Sequence, residues 1–260
     1  MTHDAESIAR LVLAPAPPAD IRSGIVLAAG RGTRLGPLGL ATPKALLDIG
    51  GTILLNQALD AFIKTGISNN VVNASHLADQ IIAHVENRSD DVATRISAED
   101  TPLETGGGVL KALPLLGTNP FFAVNADVWW AGSLQSGLGA LATYWRPKAM
   151  DVLLLVQATT KIDGYDGRGD FYLDGLGQLT RKQDDETAPF VFTGAQILSP
   201  AAFAGVEAGA FSLNVVYDQA AKSGRLFGVS HNGGWADIGT PQRLTQARNA
   251  AEAARARTLL

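Results

Sequence analysis

The chain has 260 residues, of which 46% are hydrophobic and 18% charged, so it is long enough and apolar enough to bury a sizeable core. Its formal net charge is −4 without a basic tract, which argues against nucleic acid as a partner. The lack of cysteine excludes disulfides, thiolate metal ligands and a thiol nucleophile, and it fits an expected cytoplasmic location.

The sequence predicts that residues 1–21 form an N-terminal extension, flexible or helical, before one domain that spans 22–260. Prolines interrupt the partly apolar segment 8–18, and it lacks the basic region that opens a signal peptide. Apolar runs stay well short of the ~20 residues that a membrane helix requires. We therefore expect no membrane partner.

The first half of the chain alternates predicted strands and helices. A short apolar, β-branched run ending at a glycine-rich turn is typical of a buried parallel strand. Apolar residues at helical spacing that stop before Gly66 predict a helix with a glycine C-cap. In order, the predicted elements are strand 23–28, a proline-punctuated loop, helix 53–65, strand 70–74, helix 77–85, strand 95–97 and a glycine-opened helix 106–115.

The second half continues this alternation and then changes. Period-two patterning within 165–197 indicates antiparallel strands. The predicted elements are strand Phe121–Asn125, helix 133–145, strand 151–158, these antiparallel strands, helix 212–223, strand Leu226–Ser230, a turn at 235–241 and a final helix 241–257. The whole pattern predicts one α/β domain with a mixed, mostly parallel central sheet.

The turn after the first strand has the composition of a phosphate-binding loop. Gly30 and Gly32 let backbone N–H groups approach phosphate oxygens, because glycine has no Cβ. Arg34 and Lys44 can neutralise the negative charge of a triphosphate. The spacing therefore predicts a triphosphate cradle.

Two other phosphate motifs fit this turn less well. A Walker A loop needs Gly-Lys-Ser/Thr after the glycines, which this chain does not have. A dinucleotide-binding turn needs a third glycine where Leu35 stands, and Pro37 and Pro43 interrupt the helix that should follow. Asp48 lies near the spacing of a ribose-binding acid, so this alternative stays open, as does an ordinary strand-to-helix turn.

Two aspartates are candidate metal ligands. Asp127 comes shortly after the apolar strand that ends at Asn125. Asp237 lies far along the chain, shortly before a glycine. Mg²⁺ takes hard oxygen ligands, usually one or two carboxylates together with phosphate oxygens. The alternatives are a helix N-cap at Asp127 and a turn at Asp237.

The sequence LAAGRGTRL at 27–35, followed by TPKALLDIGG at 42–51, resembles the N-terminal signature of sugar-1-phosphate nucleotidyltransferases. The similarity extends over about 23–245 and implies a single Rossmann-like domain, also described as GT-A-like. It implies that a nucleoside triphosphate and a sugar 1-phosphate react with Mg²⁺ as cofactor and that pyrophosphate is released. By this resemblance Arg34 and Lys44 are catalytic, Asp127 and Asp237 bind the metal, and the nucleotide contacts include Ala28, Ala29, Gly30, Gly32, Thr33 and Asn125.

A second loop, 99–108, opens a helix with three glycines. Glu99 near its start can read a base edge, and Pro102 and Gly106 are further candidate nucleotide contacts. Thr105 is a candidate substrate contact or, alternatively, the helix N-cap. Many family members have Leu-Gly-Thr-Ala here, whereas this chain has Leu-Glu-Thr-Gly-Gly-Gly, so the family glycine is not transferred to Glu104.

This departure, with Asn-Ala-Asp-Val-Trp at 125–129 and Gly-Arg-Gly-Asp at 167–170, resembles the N-acetylmuramate α-1-phosphate uridylyltransferases of cell-wall recycling. The resemblance implies UTP as donor and a small antiparallel sugar-binding part, with Asp170, Thr193, Gly194 and Asn125 near the sugar. A hairpin turn is the alternative for 167–170. Mannose-1-phosphate guanylyltransferase, a GT-A-like glycosyltransferase and an inactive nucleotide sensor remain alternative functions. The sequence does not specify an oligomeric state.

Overall fold

The computed structural model describes residues 18–258 except 91, 133 and 163, so most of the predicted extension 1–21 lies outside the described residues. The strands are β1 (Ser23–Leu27), β2 (Asp48–Ile49), β3 (Thr52–Ile53), β4 (Asn69–Ala74), β5 (Thr94–Ala98), β6 (Phe121–Asn125), β7 (Val128–Ala131), β8 (Val152–Ala158), β9 (Phe171–Leu173), β10 (Leu179–Arg181), β11 (Phe190–Leu198), β12 (Leu226–Ser230) and β13 (Gly234–Asp237). The α-helices are α1 (Pro37–Ala41), α2 (Leu54–Thr65), α3 (Ala78–Glu86), α4 (Glu104–Leu116), α5 (Leu134–Tyr144), α6 (Asn214–Lys222) and α7 (Pro241–Thr258). None of these described helices is long and apolar enough to cross a membrane.

The central sheet is mixed and mostly parallel, as the sequence predicts. Its strands follow the order β12-β8-β11-β6-β1-β4-β5. Strands β1, β4, β5 and β6 are parallel to one another, and β11 runs antiparallel to both β6 and β8. The small β9–β10 hairpin joins the beginning of β11 through Phe171 and Phe190. The predicted α/β fold is confirmed.

Helices cover both faces of this sheet, which explains its apolar strands. One core contains buried residues of α2, α3 and α5, and the other contains buried residues of α4 and α6. Strand β8 is buried from Val152 to Gln157 because both of its faces are covered. The carboxyl ends of β1, β4, β5, β6 and β8 therefore meet at one edge of the sheet, where ligand sites of α/β proteins form.

Two local predictions differ from the structure. The loop after the glycine turn contains α1, since Pro37 occupies the first helical turn, where proline is tolerated. The predicted turn at 235–241 begins as β13, which pairs antiparallel with β7 and places Trp235 opposite Trp130. This ribbon joins segments that are distant in sequence, and α7 packs beside it through Leu244 and Ala247.

Candidate active site

One side of the site is formed by three consecutive hydrogen bonds at the carboxyl ends of the strands. The backbone N–H of Ala28 donates to Asn73 Oδ1 over 2.7 Å, and Asn73 Nδ2 donates to Glu99 Oε1 over 2.7 Å. Glu99 Oε2 accepts from the backbone N–H of Leu103 over 3.0 Å. Both oxygens of the buried Glu99 carboxylate therefore accept hydrogen bonds that join β1 to the loop before α4. A contact between Glu99 and a base, as predicted, would compete with these bonds.

A cleft of about 290 Å³ opens beside these hydrogen bonds. Residues from the carboxyl ends of several strands surround it, as expected at this edge of the sheet. Of the predicted nucleotide or substrate contacts, those that line it are Ala28, Ala29, Gly30, Lys44, Glu99, Pro102, Thr105 and Asn125, and the predicted metal ligand Asp127 lines it as well. The structure thus brings most of the predicted nucleotide contacts into one cavity.

The glycine turn lies beside this cleft and supports Lys44. Gly32 has φ +65°, which glycine adopts without a Cβ penalty, and a Cβ there would lie 3.1 Å from Lys44 Cγ. Thr33 and Arg34 form a short 3₁₀ turn outside the lining of the cleft. A Cβ added at Gly239 would lie 2.9 Å from Arg34 Nη2 and 2.9 Å from Asp237 Oδ2, so the Arg34 guanidinium is close to the second aspartate.

Asp127 and Asp237 meet where β7 pairs with β13. The backbone N–H of Ile238 donates to Asp127 O over 2.8 Å, and Asp237 lies opposite Val128 in the ribbon. Lys44 Nζ lies 3.1 Å from Asp127 Oδ2, with only 12% of the Lys44 side chain exposed. The pairing of β7 with β13 therefore brings two residues that are distant in sequence next to one lysine.

The electrostatics of this pair suit a divalent cation. Burial raises the pKa of Asp237, and the charge of Asp127 raises it further, while Arg243, Lys44 and Arg34 act in the opposite direction. Two ionised carboxylates so close together repel each other, and a cation between them relieves this repulsion. Among the described residues no cluster of three or more His, Asp or Glu side chains is arranged to hold a metal, so further ligands would come from phosphate and water.

A second cavity of about 280 Å³ shares Asn125 and Asp127 with this first cleft. Asp170 and Gly194 line it, and Asp170 Oδ2 accepts from the backbone N–H of Phe192 over 2.9 Å. Gly194 has φ +92°, and a Cβ there would lie 2.9 Å from Val128 Cγ2. The shared residues place the junction of the two cavities at the carboxylate pair.

Two of the predicted contacts have structural partners instead. The backbone N–H of Gly106 donates to Phe211 O over 2.8 Å, and a Cβ at Gly106 would lie 2.3 Å from the Phe211 ring. Thr193 is fully buried, and its hydroxyl donates to Leu155 O over 2.7 Å. Neither residue lines either cavity. Thr105 lines the cleft, but its Oγ1 also accepts from the backbone N–H of Leu213 over 3.0 Å.

Sequence reasoning missed several residues that line the two cavities, among them Arg31 in the first cleft, and it also missed the contacts of Asn73 and Arg243. The only sequence signal for a role of Asn73 is its position as a polar residue near the end of a buried strand. Arg243 Nη1 lies 3.0 Å from Asp237 Oδ2, and Arg243 Nη2 lies 3.1 Å from Asp166 Oδ1. No sequence motif links Arg243 to Asp237; only the packing of α7 beside β13 brings them together.

The burial of Asp170 predicts a measurable pH effect on stability. Burial raises its pKa, and the Phe192 N–H and Lys182 only partly oppose this. Between the ordinary pKa of about 4 and the raised value, the folded chain binds more protons here than the unfolded chain, so this residue lowers stability as pH rises. We expect the unfolding free energy of wild type minus that of Asp170→Asn to decrease as pH rises from 3.5 to about 7. Urea unfolding at several pH values measures it, and a difference that is constant or increases with pH contradicts the assignment.

Comparison with known proteins identifies relatives along most of the chain. A family model for a MobA-like NTP transferase domain matches residues 24–154. An N-acetylmuramate alpha-1-phosphate uridylyltransferase from Caulobacter vibrioides is 38% identical, over 88% of this chain and 95% of the relative. One from Neisseria meningitidis serogroup B is 32% identical, over 86% of this chain and 96% of the relative.

Two further matches are less similar in sequence to this chain. The catalytic subunit beta of mannose-1-phosphate guanylyltransferase from Xenopus tropicalis is 27% identical, over 84% of this chain and 61% of that protein. The solved structure of an inositol-1-phosphate CTP transferase from T. maritima superimposes with a TM-score of 0.71 at 18% identity, over 92% of this chain and 98% of that one. At that identity the structural likeness establishes the shared fold.

Proposed function

Since the chain belongs to the MobA-like NTP transferase family and is a sugar-1-phosphate nucleotidyltransferase, we propose that it transfers the uridylyl group of UTP to N-acetylmuramate α-1-phosphate. Pyrophosphate and a UDP-linked sugar are the products. The two uridylyltransferase relatives support this choice of donor and acceptor, because each is matched over nearly its whole length. The proposal includes Mg²⁺ as cofactor and the cytoplasm as the place of reaction.

The observation that carries the proposal is the meeting of Asp127, Asp237 and Lys44 at the junction of two cavities. The nucleoside occupies the first cavity and the sugar the second, so the α-phosphate lies at the junction. Such an arrangement catalyses mainly by alignment and by stabilising negative charge, and it needs no covalent enzyme intermediate.

In the proposed reaction an oxygen of the sugar 1-phosphate attacks the α-phosphorus in line. A new P–O bond forms, the bond to the β-phosphate oxygen breaks, and pyrophosphate leaves. Since the attacking phosphate oxygen is already anionic, no side chain has to remove a proton. Lys44 contacts the α-phosphate, and Arg34 supplies positive charge beside Asp237. Asp127 and Asp237 would hold Mg²⁺, and its charge would neutralise negative charge on the phosphate oxygens.

A substrate panel tests this function. We expect pyrophosphate release to be fastest with UTP and N-acetylmuramate α-1-phosphate, with kcat/KM at least about tenfold above that of any other pair. The panel combines UTP, GTP, CTP and dTTP with N-acetylmuramate, N-acetylglucosamine and mannose 1-phosphates. A preference for GTP with mannose 1-phosphate would instead support the second candidate, which the Xenopus tropicalis relative favours. Sugar transfer from a UDP-sugar without pyrophosphate release would indicate a glycosyltransferase.

A further inference from the structure

We propose that Lys161 binds the lactyl carboxylate of N-acetylmuramate α-1-phosphate and thereby selects this sugar over uncarboxylated ones. The inference rests on the proposed function and names the side chain that gives it its sugar specificity. N-acetylmuramate differs from N-acetylglucosamine by a lactyl ether, which adds one methyl and one carboxylate group. A cation in reach of that carboxylate distinguishes the two sugars, because only the carboxylated one can pair with it.

Lys161 lies at the correct edge of the sheet. Strands β8 and β6 are both antiparallel to β11, so they run parallel to each other. Lys161 ends the 3₁₀ turn Thr159–Lys161, which follows the carboxyl end of β8 directly. Asn125 ends β6 at this same edge. The lysine therefore stands on the ligand-binding side of the domain, although it belongs to neither the first cleft nor the carboxylate pair.

Lys161 lines a third cavity, of about 560 Å³, which adjoins the sugar cavity. The two share Tyr165, Trp235, Asp237 and Arg243, so a sugar substituent can extend from one into the other. Trp129 and small residues of α7, among them Ala247 and Ala250, give the third cavity an apolar wall. That wall suits a methyl group, and a nearby cation suits a carboxylate.

The charge of Lys161 is not neutralised by any described residue. Its Nζ lies 2.6 Å from Asn232 Oδ1, a neutral amide oxygen, and it forms no ion pair within the described part of the chain. Arg243, the other cation that lines this cavity, already contacts Asp237 and Asp166. Among the described residues that line the cavity, Lys161 is therefore the cation that a carboxylate can pair with.

The buried amide of Gln157 supplies a second polar group in the third cavity, besides Lys161. Gln157 is 3% exposed and lines the third cavity, and its Oε1 has no hydrogen-bond partner among the described residues. Buried oxygens normally have a partner. The N–H of an acetamido group is a donor of the required kind, and the proposed substrate carries it on the carbon next to the lactyl ether.

Kinetics on two acceptors test the proposal. We expect Lys161→Gln to lower kcat/KM for N-acetylmuramate α-1-phosphate about fivefold and to leave that for N-acetylglucosamine α-1-phosphate within about twofold, because Lys161 is exposed and one charge-assisted contact is lost only with the first. Lys161→Arg should recover part of the loss. Lys148→Gln is the matched control, since Lys148 is an exposed lysine before the opposite end of β8; it should change neither value.

The outcomes separate this inference from the proposed function. If wild type uses N-acetylmuramate α-1-phosphate but Lys161→Gln changes both acceptors equally or neither, the assignment of Lys161 is wrong and the function stands. If wild type prefers an uncarboxylated sugar 1-phosphate, both the proposed acceptor and the role of Lys161 are overturned. A loss confined to the carboxylated acceptor supports both.

Discussion

Replacing Asp127 with asparagine is expected to lower kcat/KM by about 10³ or more, the largest effect of any single substitution proposed here. The change removes one negative charge from the carboxylate pair and keeps the shape of the side chain. A neutral amide is a weaker ligand for a hard divalent cation than a carboxylate. Pyrophosphate release at saturating UTP and varied sugar 1-phosphate measures this loss in kcat/KM for the sugar.

A second measurement separates loss of the cation from loss of the fold. Mn²⁺ binding in the presence of UTP, followed by electron paramagnetic resonance, should weaken strongly in Asp127→Asn. The unfolding free energy should change by less than about 2 kcal/mol, because losing the ion pair with the largely shielded Lys44 is offset by relief of the repulsion from Asp237. Asp185→Asn, which changes an exposed aspartate, is the control for charge. Wild-type Mn²⁺ affinity in Asp127→Asn would remove this residue from the metal site.

The strands and helices were predictable because their signals are local. A buried parallel strand such as β8 is apolar throughout, and the helix that ends at Gly66 has apolar residues at helical spacing and a glycine C-cap, where φ is +85°. The β7–β13 ribbon carries no such local signal. Its register depends on packing between segments that are distant in the chain, so the sequence predicts a turn at Trp235 although this residue pairs with Trp130.

Glycine clusters are ambiguous for a physical reason that this chain illustrates. In the first loop Gly32 has a positive φ and lies against the stem of Lys44, so backbone conformation and packing favour glycine there, and its contact with phosphate stays a prediction. In the second loop the glycines are needed where other parts of the chain come close. A Cβ at Gly107 would lie 2.1 Å from Gly209 O, and one at Gly108 would lie 2.6 Å from Asn73 Nδ2. Sequence spacing cannot separate the two causes, because the approaching atoms belong to segments far along the chain.

The family resemblance predicts Asp127 and Asp237 as a pair, but only the folded structure gives the geometry of that pair. Spacing alone could not establish that Asp127 and Asp237 meet, and the structure brings them together through the ribbon. Arg243 could not be found in advance, because its contact with Asp237 depends on where α7 begins. Residues that act on the backbone of a motif, such as Asn73 on Ala28, are likewise invisible to a motif search.

Replacing Lys44 with methionine is expected to lower kcat about 10² to 10³-fold with a smaller change in KM for UTP. The Lys44 ammonium is largely shielded from water and lies 3.1 Å from Asp127 Oδ2, at the junction where the α-phosphate is proposed to lie. A preorganised charge in such a site stabilises negative charge more strongly than one in water. Methionine keeps an unbranched stem against Gly32, so the loop retains its packing while the charge is lost. Single-turnover rates with saturating UTP measure the chemical step directly.

The balance between kcat and KM decides what Lys44 does. If it stabilises charge that develops during transfer, kcat falls and KM changes little; if it only attracts the triphosphate, KM rises and kcat is preserved. Lys64→Met, at the exposed end of α2, controls for the loss of one positive charge and should leave both values unchanged. An unaltered kcat in Lys44→Met would mean that neutralisation of the α-phosphate comes from elsewhere, with Arg34 beside Asp237 as the next cation to replace. The two substitutions therefore divide the proposed chemistry between the side chain that pairs with Asp127 and the one that lies near Asp237.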